Sequence, residues 1–205
     1  MNKILFIDMD GTLVTTKSGK PFPEDYSDRL PSLYLPAILQ RYKDEGWAIA
    51  LITNQGGIEA GFKTIEGTVE EIRYVMELYP MIDLAYFSPE DSDRTWWRKL
   101  QTFLDIRADT CYLVSKCNFQ KIDKKYFIDS WAMYNGGRDR FRFRKPGAGK
   151  LFVAASVLCH EGWSKALMVG DREDDKGAAE TFGCDFEWVE EFIRKEYRGE
   201  PLSIR

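Results

Sequence analysis

Short unbroken apolar runs alternate along this chain with stretches in which apolar residues recur at helical spacing. Ile4 to Ile7 is such a run, stopping at Asp8-Met9-Asp10-Gly11-Thr12. It predicts a parallel strand, buried on both faces, that feeds a loop. From Leu35 to Glu45 the apolar residues Ile38, Leu39 and Tyr42 take helical spacing, with Pro36 near the start and Gly46 as the stop. Trp47–Thr53 is a second apolar run and a second strand. Thr68–Tyr79 puts Val69, Ile72, Val75, Met76 and Tyr79 on one helical face, and Ile82–Phe87 reads as a third strand. Towards the C-terminus come a helix at Lys150–His160, a strand at Ala166–Val169, a short helix at Lys176–Phe182 closed by Gly183, and a last strand at Phe186–Val189.

Strands alternating with helices predict an α/β fold: a doubly wound, Rossmann-like parallel sheet flanked by helices, with right-handed crossovers. There is no internal repeat. Residues 89–143 fit neither period. Within a single domain over residues 1–205, that stretch reads as an inserted segment, either a cap over the site or a substrate-docking surface.

In such sheets the ligand sits outside the carboxyl ends of the strands. Asp8 and Asp10 follow the first strand, Thr53 and Asn54 the second, and Asp171 the strand at Ala166–Val169. The expectation is therefore a cluster of carboxylates on one edge, with a hydroxyl and an amide beside it.

Composition changes this picture little: 205 residues, 44% hydrophobic and 30% charged, suit one ordinary soluble domain with a sizeable core. The opening apolar run is too short for a signal segment or a membrane span, so a cytoplasmic location and no membrane partner are expected. Cys111, Cys117, Cys159 and Cys184 form no CxxC pair, and the single histidine, His160, offers neither a zinc site nor a catalytic dyad. Charge is more informative. The net −4 conceals a segment, Lys116 to Lys145, with nine Lys/Arg against three Asp; it carries +6 and leaves −10 for the remainder.

Asp8, Asp10, Asp171 and either Asp174 or Asp175 would carry about −4 if all ionised, a charge that one lysine, Lys145, cannot neutralise. Hard oxygen ligands of this kind suit Mg2+, which keeps waters and a substrate phosphate in its shell. A carboxylate can attack phosphorus to give an acyl-phosphate, and the transfer then needs alignment and charge neutralisation. Thr53 can donate its hydroxyl, Asn54 an N–H and Lys145 its ammonium. Asp10 can protonate the leaving oxygen and later take a proton from water. Any one of these motifs alone could be a turn or a helix cap. All of them in order at strand ends are not a chance pattern.

With these residues in place, the chain resembles the haloacid dehalogenase (HAD) superfamily of phosphatases over nearly its whole length except the middle. The four motifs are Asp8-Met-Asp10-Gly-Thr, Leu-Ile-Thr53-Asn54, Lys145-Pro, and Val-Gly-Asp171 with Asp175 four residues on. The resemblance implies Asp8 as nucleophile, Asp10 as acid and base, and Thr53 and Lys145 as phosphate ligands. It also implies magnesium on Asp8, the Asp10 backbone carbonyl and Asp171, with Asp175, or its neighbour Asp174, in support.

A narrower likeness follows the first motif. Thr15-Thr16-Lys17-Ser18-Gly19-Lys20, then Phe22-Pro23 and Ser27-Asp28, is similar to the phosphatase domain of polynucleotide kinase 3′-phosphatases, as are Thr53-Asn54-Gln55-Gly56 and Arg144-Lys145-Pro146. Heptose-bisphosphate and histidinol phosphatases share much of this, but they usually carry a cysteine-rich zinc loop before Lys-Pro. Here that place holds Phe141-Arg142-Phe143-Arg144.

Arg138, Arg140, Arg142 and Arg144 recur at every second residue around Phe141 and Phe143. Trp131 and Tyr134 lie upstream, and Arg94, Trp96, Trp97 and Arg98 form a similar patch. Cations beside aromatic platforms suit single-stranded nucleic-acid ends; the plainer alternative is core aromatics and a solvated arginine face. Gly147-Ala-Gly149-Lys150-Leu151 imitates a phosphate-binding P-loop but has Arg144 and Leu151 where that motif needs Gly and Ser/Thr. No kinase module is therefore expected, and a kinase or ligase partner would be a separate chain. The expected activity is removal of 3′-phosphate from DNA or RNA ends in repair. The alternatives are a phosphatase for a small phosphorylated metabolite and an inactive interaction scaffold.

Overall fold

The computed structural model describes residues 2–20, 23, 26–89, 111–122 and 142–197. In chain order the elements are β1 (Lys3–Ile7), β2 (Val14–Thr16), one turn of 3-10 helix (Tyr26–Asp28), β3 (Arg29–Pro31), α1 (Leu35–Asp44), β4 (Trp47–Asn54), α2 (Ile65–Leu78) and β5 (Leu84–Ser88). Then come β6 (Cys111–Val114), β7 (Phe119–Ile122), α3 (Gly149–Leu158), β8 (Lys165–Gly170), α4 (Glu173–Phe182), β9 (Asp185–Trp188) and α5 (Val189–Glu196).

Seven strands form the main sheet in the order β7-β6-β5-β4-β1-β8-β9. β5, β4, β1, β8 and β9 run parallel, with β1 central between β4 and β8. The sheet is mixed rather than all-parallel as the alternation implied, because β6 and β7 join antiparallel at the β5 edge. These two short strands carry no long apolar run. They are held partly by a stack of Phe87, Tyr112 and Phe119, with ring centroids 5.0 and 5.4 Å apart. They are the described strands of the unassigned middle. Trp131, Tyr134 and the patch at Arg94–Arg98 lie outside the described residues.

Period-2 alternation divides the core into two layers. Leu5 and Ile7 of β1 and Ile49 and Leu51 of β4 face a layer closed by α1, α2 and α5, through Leu39, Ile72 and Phe192 among others. Ile4, Phe6, Ala48, Ala50 and Ile52 face the opposite layer, closed by α3 and α4 through Leu151, Ala154, Ala179 and Phe182. Both faces of β1 are thus buried, as its unbroken apolar run requires.

Helix ends fall where capping chemistry places them rather than where the apolar stripe stops. Helix α2 begins at Ile65, three residues before the expected start at Thr68, because Thr64 Oγ1 accepts the Gly67 N–H at 3.0 Å. Helix α4 begins at Glu173, whose acidic first turn suits a helix N-terminus, and ends on left-handed Gly183. Val189, read from the sequence as the end of a strand, opens α5 instead. None of the described helices is long and apolar enough to cross a membrane.

Candidate active site

The carboxyl ends of β1, β4, β5 and β8 converge, and the motif residues meet there. Asp8 leaves β1 with its N–H bonded to Val169 O of β8 at 3.0 Å. Its carboxylate is buried, and Oδ1 accepts from Lys145 Nζ at 2.5 Å. The same ammonium donates to Asp175 Oδ1 and to Ile52 O at 3.0 Å, so all its protons are placed. Asp175 Oδ2 in turn accepts the Arg172 N–H at 3.1 Å as part of the α4 cap. Asp175 is 1% exposed, whereas Asp174 is half-buried and outside this contact set.

One cation thus serves two carboxylates. Burial pushes the Asp8 carboxyl up to about 7; Lys145 opposes the rise and Asp175 adds to it. Burial would lower Lys145, but Asp8 and Asp175 outweigh it and hold the ammonium above the usual lysine range. Asp171 is also raised, chiefly by burial.

A hard cation fits this donor set. Oxygens of Asp8, Asp171 and Asp175 lie within 4.8 Å of one another. Asp171 Oδ1 is buried with no hydrogen-bond donor among the described residues, an acceptor that calls for a positive partner. Two glycines make room for these carboxylates. A Cβ on Gly11 would lie 2.2 Å from Asp171 Oδ2, and one on Gly170 would lie 2.4 Å from the Asp175 carboxyl carbon. Gly11 also has φ +87°, the left-handed region, which lets the chain turn sharply after Asp10.

Thr53 is buried at the end of β4, where its Oγ1 accepts from Gln55 Nε2 at 3.0 Å and so keeps its own proton to donate. The side chain of Asn54 is paired with the backbone of Lys145. Its Nδ2 donates to Lys145 O at 3.1 Å and its Oδ1 accepts the Lys145 N–H at 3.0 Å, which fixes the Lys145 backbone against β4. Beneath both lies Lys150, fully buried, donating to Thr53 O at 2.6 Å, Asn54 Oδ1 at 2.7 Å and Ser88 Oγ at 2.8 Å.

Asp10 stands apart from this cluster, its side chain 34% exposed. Arg29, 1% exposed, donates through Nη1 to Asp10 Oδ1 at 2.5 Å and through Nη2 to Glu71 Oε2 at 2.8 Å. Lys63 Nζ donates to Glu71 Oε2 at 2.5 Å and to Gln55 Oε1 at 3.1 Å, while Gln55 Nε2 donates to Asp10 Oδ2 at 2.9 Å. The five side chains close a ring.

The Thr15–Lys20 motif lies on the hairpin that carries Arg29. Thr16 Oγ1 donates to Lys20 O at 2.6 Å, Lys17 Nζ donates to Ser27 O at 2.6 Å, and the Ser18 N–H and hydroxyl both donate to the Asp28 carboxylate at 2.7 Å. Arg29, Lys63, Glu71, Ser88 and Lys150 were not legible as site residues. Arg29 is charged yet sits in a three-residue strand, and only the Ser27-Asp28 motif before it marked the segment. In the arginine-aromatic stretch, Arg142 is exposed, Phe143 lies in the core and Arg144 is half-buried; Arg138, Arg140 and Phe141 lie outside the described residues.

A family model described as polynucleotide kinase 3 phosphatase matches residues 3–192. A stretch of 64 residues, 30% of this chain, is 42% identical to a protein of Thermoplasma volcanium described as a probable D-glycero-D-manno-heptose-1,7-bisphosphate 7-phosphatase; the match takes in 40% of that protein's length. The D,D-heptose 1,7-bisphosphate phosphatase from B. bronchiseptica, solved with magnesium and phosphate, covers 99% of this chain and 90% of its own, with a TM-score of 0.58 at 15% identity. That likeness shows the fold.

Proposed function

The chain belongs to the polynucleotide kinase 3 phosphatase family, and from that premise we propose that it is a magnesium-dependent phosphomonoesterase that removes 3′-phosphate from DNA or RNA ends. At the coarser level it is a phosphatase of the HAD superfamily. The observation that carries the chemistry is the buried Asp8 carboxylate held against Lys145 at the end of the central strand, with Asp10 two residues away.

Asp8 Oδ attacks phosphorus as the bond to the leaving oxygen breaks, and Asp10 gives that oxygen its proton. Asp10 then takes a proton from a water that attacks the phosphoryl-aspartate, which frees phosphate and restores Asp8. Thr53 Oγ1 holds one non-bridging oxygen, and Lys145 Nζ holds another by exchanging its bond to Asp8 for one to the phosphoryl group as Asp8 attacks. Asn54 keeps Lys145 in place. Asp8, the Asp10 carbonyl and Asp171 would hold magnesium, with Asp175 in support, and the ion would neutralise charge on the phosphoryl oxygens.

The family favours a nucleic-acid end, as do the Thr15–Lys20 hairpin and the +6 segment between Lys116 and Lys145. A second reading, a sugar-phosphate phosphatase, is favoured by the 64-residue match to a heptose-bisphosphate phosphatase. The cysteine-free Phe141–Arg144 stretch counts against it. Phosphate release with magnesium from a 3′-phosphorylated oligonucleotide, beside a panel of sugar phosphates including a heptose bisphosphate, separates the two. Preference for the oligonucleotide, weakening with salt and abolished in Asp8→Asn, is the expected result. Turnover of a sugar phosphate with the oligonucleotide untouched would keep the mechanism and remove the nucleic-acid assignment.

A further inference from the structure

The geometry points to Arg29 as the residue that positions Asp10 for proton transfer, with Gln55 as the second arm of the clamp; this rests on the acid/base reading of Asp10 above. Asp10 lies beyond the end of β1, on a turn made by a left-handed glycine, with its side chain open to solvent on one side. Nothing on its own strand orients the carboxylate. Arg29 takes Oδ1 and Gln55 takes Oδ2, and holding both oxygens fixes the plane of the group.

Each arm is held in turn. Glu71 anchors the other end of the Arg29 guanidinium, Lys63 anchors Glu71, and Lys63 returns to Gln55, so every member has two neighbours. The planar fork of an arginine can span two carboxylates in this way, and a lysine ammonium cannot do so with the same directionality. The backbone is fixed from below as well. Tyr79 OH donates to Leu13 O at 2.6 Å and accepts the Ser32 N–H at 3.0 Å, which ties the residues three beyond Asp10 and three beyond Arg29 to one hydroxyl.

A buried ion pair is a poor way to stabilise a hairpin, because well-packed apolar side chains commonly do as well. This one ends on the half-exposed carboxylate that proton transfer uses. Arg29 touches neither the nucleophile nor its cation partner Lys145 in any described contact, so it is a positioning residue and not a catalytic one. Proton transfer depends on reach and direction, and a misplacement of about 1 Å can cost about a hundredfold.

The test compares leaving groups. First-turnover release is measured for an alkyl phosphomonoester, whose leaving oxygen needs a proton, and for p-nitrophenyl phosphate, whose leaving group does not. In Arg29→Lys, with folding checked by circular dichroism and thermal melting, release from the alkyl ester should fall by about a hundredfold. Release of nitrophenol should fall several-fold at most, with KM changing by less than about threefold for both esters. In an Asp10→Asn background, adding Arg29→Lys should cost nothing further. Equal losses for both leaving groups, or a loss that multiplies onto Asp10→Asn, would overturn the clamp. If Arg29→Lys does not fold, Glu71→Gln loosens Arg29 from its other end and should show the same leaving-group dependence at smaller amplitude; a uniform loss overturns the proposal equally. A wild-type protein that releases phosphate from neither ester removes the acid/base reading first, and the clamp with it.

Discussion

Lys145 and Arg29 are both buried cations set between two carboxylates, yet the sequence announces one and conceals the other. Lys145 joins Asp8 to Asp175, and all three lie in short motifs: Asp8 just past β1, Lys145 in the Lys-Pro turn before α3, and Asp175 in the first turn of α4 after β8. Arg29 joins Asp10 to Glu71, drawing on a three-residue strand and the middle of a helix. The electrostatics differ too. Lys145 is one charge serving two fully enclosed acids, so the site carries a deficit of positive charge. The Arg29 ring balances two cations, Arg29 and Lys63, against two acids, Asp10 and Glu71, and opens to solvent at Asp10. The first arrangement leaves negative charge that a cation would neutralise, as the proposed phosphatase chemistry requires. The second holds a shape.

The largest effect should come from breaking the Lys145 side. Lys145→Met leaves Asp8 and Asp175 buried and mutually repelling, and in metal-free buffer it should cost about 3–5 kcal/mol by urea unfolding. Adding Asp175→Asn removes one of the two stranded charges and should recover a substantial part of that. A cost below about 1 kcal/mol would mean that these acids are solvated, and the contrast with the Arg29 ring would vanish.

Acidity gives a second handle on the same side. Asp8, raised from an ordinary 3.8 to about 7, binds its proton more tightly in the folded chain than in the unfolded one. Its contribution to stability is therefore full below about pH 4 and is lost as the pH rises to about 7, by at most about 4 kcal/mol. Without metal, the thermal midpoint should show this downward component between pH 4 and 7. Asp8→Asn should flatten it, and magnesium should reduce it by favouring the ionised form. A wild-type profile identical to that of Asp8→Asn would mean that Asp8 ionises at an ordinary pH.

Lys150 sharpens the comparison from beneath. Lys150→Met takes the donor from Thr53 O, Asn54 Oδ1 and Ser88 Oγ at once, which should cost about 2 kcal/mol after the relief of no longer burying a charge. If Thr53 at the end of β4 holds phosphate as proposed, KM for a phosphomonoester should rise several-fold. A loss of stability with KM unchanged would make Lys150 a support of the sheet alone.

These contrasts explain what could be read from the chain in advance. The central strands were legible because β1 and β4 are buried on both faces and so carry unbroken apolar runs. That Asp8, Asp10, Thr53 and Asp171 gather on one edge was legible because the parallel strands of an open α/β sheet bring the residues at their carboxyl ends together. The edge strands β6 and β7 were not, since four-residue strands such as Phe119–Ile122 leave no period to count. Asn54 drew attention by position, but its side-chain partners Ser88, Lys145 and Lys150 lie 34, 91 and 96 residues away, distances along the chain that no local pattern reports. Arg29 was hidden for the same reason, 19 residues from Asp10 and 42 from Glu71.

The smallest effect tests whether the hairpin belongs to the Arg29 side at all. Ser18 donates its N–H and its hydroxyl to the two oxygens of Asp28, the residue before Arg29, on an exposed part of the hairpin. Ser18→Ala removes the hydroxyl's bond to Asp28 and the longer one it accepts from the Lys20 N–H at 3.3 Å; at such an exposed site the stability cost should be about 0.5 kcal/mol, near the limit of a denaturation experiment. Turnover is the more sensitive readout. If the clasp sets where β3 begins, a shift of a few tenths of an ångström reaches Asp10 through the guanidinium, and kcat for an alkyl phosphomonoester should fall about two- to fivefold with KM unchanged. An unchanged kcat would show that the β2–β3 pairing and the Tyr79 hydroxyl suffice to place Arg29. The Ser18–Asp28 contact would then be a closure of the hairpin tip, and the residues that set the catalytic geometry would begin at Arg29 itself.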